Sequence, residues 1–133
     1  MADSFQLRVV TPKRQLFEAP VQEVTAPGTA GEFGVLPNHV TFLGSLEIGE
    51  FRLRTAQGEQ RLAVRGGFAE VANNVMTVLV EDAIFAKDVD PAAARKDAEA
   101  AAAELKDLSP VNPEYAVANA NLRWAETRLA VAK

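Results

Sequence analysis

The sequence predicts an α+β protein: an N-terminal β-sandwich, built as a flattened barrel of short antiparallel strands, followed by a C-terminal antiparallel helical hairpin. Three observations predict it. Composition shifts along the 133 residues: all eight glycines lie at or before Gly67, all seven phenylalanines at or before Phe85, and eight alanines crowd from Ala92 to Glu104. Apolar residues in the first half alternate with polar ones, the period of half-buried strands. In the second half they recur by threes and fours after two Asx-Pro pairs, which is the period and the start signal of helices. The shift places a boundary at Lys87–Asp88, giving a sandwich over residues 1–87 and a hairpin over 88–133.

The strands follow from phase. Phe5, Leu7 and Val9 alternate with Gln6 and Arg8. Phe51 and Leu53 alternate with Arg52 and Arg54; Gln57-Gly58 then offers a turn, after which Leu62 and Val64 resume the pattern. FAEVA and VMTVLVE are separated by Asn73-Asn74, a pair that tolerates positive φ and so predicts a tight hairpin. Gly66-Gly67 before Phe68 reads as a bulge or a close backbone approach. Pro12, Pro20, Pro27 and Pro37 are expected between strands, where a missing N–H costs least. Two stacked sheets would let the apolar faces cover each other.

The helices are expected from about Pro91 to Asp107 and from about Pro113 to Ala132. Asp90 and Asn112 supply the N-caps, each before a proline at the first helical position. LSPVNP breaks any continuous helix. Ala94, Ala98, Ala101, Leu105 and Leu108 trace one seam; Tyr115, Ala118, Leu122, Ala125 and Leu129 trace its counterpart. Small alanines let the two helices approach closely, but they bury little apolar area, so the hairpin should be weakly held. Val117, Trp124 and Val131 form a second stripe on the second helix. That stripe either packs on the strands or presents Trp124 to a partner, and both readings can hold in different states.

Composition bounds the chemistry. A net charge of −4 argues against a nucleic-acid binder. No cysteine and one histidine, His39, make a structural metal site unexpected. No apolar run reaches membrane-span length and no signal-peptide core opens the chain, so a cytoplasmic protein is expected, meeting a membrane only through another protein. His39 with Ser45 and Glu47 would make a hydrolase triad, but no nucleophile elbow surrounds Ser45. PGTAGEFGVLP lacks the Gly-Lys-Ser/Thr ending of a phosphate-binding loop and reads as a turn set. Arg123, Arg128 and Lys133 complement the dipole of the second helix and could also meet acidic surface on a partner.

GEFGVLPNHVTFL, from Gly31 to Leu43, resembles the G-[DE]-x-G-[IV]-[LM]-P-G-H-x-P-[FL]-L signature of the epsilon subunit of bacterial F-type ATP synthases. RGGFAEV, from Arg65 to Val71, resembles the family's Gly-Gly-aromatic strand. FQLRVVTPKRQLFEAPVQEVTAPGTAGEFG resembles its opening and NANLRWAETRLAVAK its last helix, so the resemblance spans essentially the whole chain. It implies a non-catalytic rotor-stalk subunit that couples gamma to the c-ring during proton-driven synthesis and restrains ATP hydrolysis through its hairpin. The implied partners are gamma, the c-ring, and alpha and beta, at the cytoplasmic face of the membrane. The loop expected around Glu32, Phe33 and Gly34, with His39, matches the family segment that faces the c-ring. Arg123, Trp124 and Arg128 would make the inhibitory hairpin contacts. Asn38 stands where the family has glycine, and Thr41 where it often has proline. Some relatives bind ATP through [IL]-D-x-x-R-A; here Val89-Asp90 is followed by Pro91, and Ala93 takes the arginine's place. Arg95 lies two positions on, roughly 200° around the helix, and Trp124 replaces a second-helix arginine. No nucleotide, metal or other cofactor is therefore expected. A stand-alone binding module and a small hydrolase around His39 are the competing functions.

Overall fold

A computed structural model describes residues 3–132 and gives eight strands followed by two helices. The strands are β1 (Phe5–Val10), β2 (Gln15–Val21), β3 (Glu23–Gly28), β4 (Gly31–Val35), β5 (Phe42–Thr55), β6 (Gly58–Ala72), β7 (Val75–Val80) and β8 (Ala83–Phe85). They pair in the order β2-β1-β7-β6-β5-β3-β4, with β8 on the first part of β6. The inward side chains of all eight strands meet in a single core that includes Leu7, Val24, Phe51, Leu62, Val78 and Ala83. One continuous sheet is thus folded over so that its apolar face covers itself, the arrangement that alternation predicts.

Three features differ from the sequence expectation. β5 and β6 are long, because EQRLAVR and FAEVA belong to one strand rather than two. Gly66 and Gly67 join them with φ of 61° and 136°, and a Cβ on Gly67 would collide with the Leu79 carbonyl. The close approach is therefore present, but the β5–β6 register runs through without a shift, so no extra residue bulges out; the inward set still changes phase there, from Leu62 and Val64 to Ala69 and Val71. Pro20 and Pro27 lie inside strands. Pro20 is tolerated because β2 is an edge strand, and Pro27 falls in the register break between Thr25 and Gly28 of the β3–β5 ladder. Finally, β1 and β7 pair in parallel. The hairpin to β2 occupies one edge of β1, and the strand that fills the other edge runs the same way.

A single 3₁₀ turn (Ala86–Asp88) leads to helices α1 (Pro91–Lys106) and α2 (Pro113–Val131). Asp90 Oδ1 accepts from the Ala92 and Ala93 N–H groups, and Asn112 Oδ1 from Glu114 N–H, as the caps require. Ala94 and Ala101 of α1 are buried with Ala118 and Ala125 of α2, and the leucines of the seam are half-buried. Among the described residues no helix is long and apolar enough to cross a membrane.

Candidate functional site

The residues expected in a loop near Glu32 form a strand instead. Glu32, Phe33 and Gly34 lie in β4, the edge strand paired with β3. Alternation places Glu32 outward, where its carboxylate meets Arg52 at 3.4 Å, while Arg52 also donates to Glu50 at 2.9 Å. The Glu50 hydrogen bond, with the charge of Glu32 adding to it against some desolvation, holds the Arg52 guanidinium above its usual value. Phe33 packs on Phe42 at 5.0 Å between ring centroids, and His39 stands edge-on to Phe42 at 6.0 Å. The glycines make room for this cluster. A Cβ on Gly28 would sit 2.9 Å from the Phe33 ring, and one on Gly44 would sit 2.7 Å from the Phe42 ring.

His39 follows the turn at Pro37 and Asn38, which closes with a His39 N–H to Leu36 carbonyl bond of 3.2 Å. Asn38 has a φ of 63°. It therefore occupies the left-handed region, which asparagine visits more readily than most side chains. His39 Nδ1 lies 2.8 Å from the Val40 carbonyl oxygen, which can only accept. Nδ1 is thus the donor in this contact. The triad does not assemble: Ser45 Oγ bonds to Thr29 Oγ1 at 2.6 Å, and Glu47 pairs with Arg123.

Sequence reading missed an exposed apolar row beside this tip. Phe68 of β6 lies directly opposite Leu79 of β7 and diagonal to Leu43 of β5. These three side chains are 58%, 52% and 70% exposed on the outer face of adjacent strands. The signal was available, because Phe68 and Leu79 are out of phase with the inward residues Ala69, Val71, Val78 and Val80.

The hairpin docks through α2. Trp124 and Val131 pack on Ala63, with Ile48, Ile84, Ala86 and Val89 around them, forming a small cluster distinct from the main core. Ala63 is the outward-facing partner of Leu62 and Val64 in β6, so α2 covers the back of the sheet. Arg65 donates to Asn121 Oδ1 at 2.7 Å, and Arg123 donates to the Ile48 carbonyl at 3.4 Å and faces Glu47 at 3.7 Å. Arg128 stacks over Trp124 at 5.5 Å and donates to Asp97 of α1 at 2.9 Å, tying the helices together. Val117, expected in the same stripe, is exposed; the polar contacts to the sheet begin one turn later, at Asn121. A cleft of about 340 Å³ lies between Arg65, Asp97, Glu104, Asn121, Trp124 and Arg128. Its two guanidinium groups already face carboxylates, Glu81 and Asp97.

Residues 4–86 match the β-sandwich domain of the ATP synthase delta/epsilon chain. The ATP synthase epsilon chain of Syntrophobacter fumaroxidans is 41% identical, with 100% of this chain and 98% of that protein aligned. Epsilon chain 2 of Syntrophotalea carbinolica is 40% identical, over 99% of this chain and 96% of the relative. The same fold occurs in a chain of the Euglena gracilis mitochondrial ATP synthase, with a TM-score of 0.84 at 22% identity, covering 100% of this chain and 84% of that one. A chain from the central stalk and c-ring structure of the Tetrahymena thermophila enzyme matches with a TM-score of 0.67 at 16% identity, over 96% of both chains. On the whole-length sequence matches and the family match together, this chain belongs to the ATP synthase epsilon chain family, whose members are non-catalytic subunits of that enzyme.

Proposed function

We propose that this chain is a central-stalk subunit that joins gamma to the c-ring during proton-driven ATP synthesis, and that its hairpin restrains ATP hydrolysis. In this reading the division at residues 87 and 88 separates an anchoring sandwich from a movable brake. The sandwich sits at the cytoplasmic face of the membrane and touches it only through the complex. Glu32, Phe33, Gly34 and His39 face the c-ring, and the adjoining row of Leu43, Phe68 and Leu79 meets gamma. An apolar row across three strands supports a docking role, because lone exposed hydrophobics are ordinary and a contiguous set in register is not. The Tetrahymena neighbour, described as central stalk and c-ring, supports the same placement.

One observation carries the brake. The strands have their own complete core, and the hairpin leans on them through one tryptophan, one valine and a few exposed polar bonds. Such docking is weak enough for a partner with similar contacts to capture the hairpin. In the captured state Trp124 packs against that partner, and Arg123 and Arg128 exchange Glu47 and Asp97 for acidic groups on alpha or beta. Truncation after Asp88 tests this. The shortened subunit should fold and assemble, synthesis should persist, and steady-state hydrolysis by the membranes should rise. An unchanged hydrolysis rate with assembly verified would remove the brake from the proposal.

A further inference from the structure

Asn73 and Asn74 form the β6–β7 turn with φ of 53° and 62°. A turn of this kind asks only for residues that tolerate positive φ, and glycine would serve. Asn74 makes three further bonds. Its Oδ1 accepts the Asn38 N–H at 2.8 Å, its Nδ2 donates to the Ser4 carbonyl at 2.9 Å, and its backbone carbonyl accepts the Gln6 N–H at 3.1 Å. One residue thus ties the β6–β7 turn, the start of β1 and the turn that precedes His39, segments up to 70 positions apart in the chain.

The Asn38 bond is the informative one. From within, the turn is closed by the single His39 to Leu36 bond noted above. From the other side it is braced by the Asn74 side chain. Because His39 Nδ1 is held on the Val40 carbonyl, the imidazole moves with the backbone around it. Anything that shifts Asn38 therefore shifts the ring, and with it the edge presented to Phe42.

We infer that Asn74 is a positioning residue, fixing the 36–40 tip against the start of β1 and so setting how His39 is presented. Its importance for assembly rests on the placement of that tip under Proposed function. Two variants of the full chain separate the roles of the side chain. Asn74→Gly suits the turn but lacks both side-chain bonds, whereas Asn74→Asp keeps the acceptor for Asn38 and loses the donor to Ser4. Amide hydrogen exchange should show the Asn38 N–H loosening by about fivefold to tenfold in Asn74→Gly, the scale of one lost hydrogen bond. It should stay near the parent rate in Asn74→Asp, with the buried Val78 amide unchanged in both. The same proteins are then bound to ATP synthase stripped of this subunit, where Asn74→Gly should bind more weakly and Asn74→Asp like the parent. An Asn38 rate in Asn74→Gly equal to the parent's, or an aspartate variant that behaves like glycine, overturns the inference. A loosened Asn38 amide with unchanged binding leaves the pin standing and removes the tip from the partner surface instead.

Discussion

Replacing Trp124 with alanine should release the hairpin and leave the sandwich intact. Trp124 is 7% exposed, and its neighbours are Ala63, Val131 and the ring of half-buried residues around them rather than the main core. Truncating a buried tryptophan typically costs about 3–5 kcal/mol. The lower end applies here, because the cavity opens at the edge of a docked element that can lift away and let water in. Loss of the Arg128 stacking is included, a contribution of about 0.5–1 kcal/mol. A loss of about 3 kcal/mol shifts the docked-to-released ratio on the order of a hundredfold. Hydrogen exchange read by mass spectrometry resolves the two halves. α2 should lose protection, because a released hairpin keeps its caps and seam but opens locally more often than a docked one, and segments around Ile48 and Ala63 should follow, while β1 and β7 should keep theirs and the thermal midpoint of the sandwich should hold. Val117→Ala, at a 61% exposed position of the same helix, should do nothing measurable. Loss of protection in β1 and β7 in step with Ala63 would refute the separation of the two cores. Unaltered protection of α2 would refute the idea that Trp124 holds it.

Two predictions concern partners and ligands. Cysteines placed at Glu32 or Phe33 should cross-link to the polar loop of subunit c in assembled enzyme, and a cysteine at Gln57, in the β5–β6 turn at the other end of the strands, should not; the reverse pattern would put the wrong end of the sandwich at the c-ring. Calorimetric titration of the isolated chain with ATP should give no saturable heat in the micromolar range. Asp90 spends its carboxylate on the Ala92 and Ala93 N–H groups, Ala93 offers no guanidinium, and Arg128 is held by Asp97. A clear isotherm would show that Arg95 or Arg65 supplies what the first turn of α1 lacks.

What was legible in the sequence follows a physical division. Patterns that repeat within one element were readable: the phase of Phe5, Leu7 and Val9, the two capped starts at Asp90 and Asn112, and the alanine seam. The Asn73-Asn74 turn was readable for the same reason, since its backbone demand is local. Pairings between distant segments were not. Nothing local tells that β1 accepts β7 in parallel, that Pro27 sits in a ladder break, or that Glu32 is a strand residue tied to Arg52. Asn74 shows the limit most clearly. Its φ was foreseeable from residue type, whereas its side-chain bonds to Asn38 and Ser4 depend on how three segments converge.

The hairpin separates what makes it helical from what makes it dock. Helicity comes from alanine propensity, the Asp90 and Asn112 caps, and the Ala94–Ala101 and Ala118–Ala125 seam. Docking comes from Trp124, Val131, Arg123 and the Arg65–Asn121 bond. The two sets share α2 but few contacts, so lifting the hairpin costs the second set and leaves the first in place. A released segment that had to refold on its partner would spend several kcal/mol on ordering before gaining any affinity. A hairpin already formed avoids that cost, and its partner need only match one aromatic anchor and a few exposed polar bonds. Exposed ion pairs such as Arg123–Glu47 are worth about 0–1 kcal/mol each, so they steer the choice between sites rather than hold it. Under the proposed brake, the equilibrium would be governed chiefly by where Trp124 finds the better pocket. On that proposal, an alanine-rich segment, poor as a contributor to a core, would suit a reversible mechanical part.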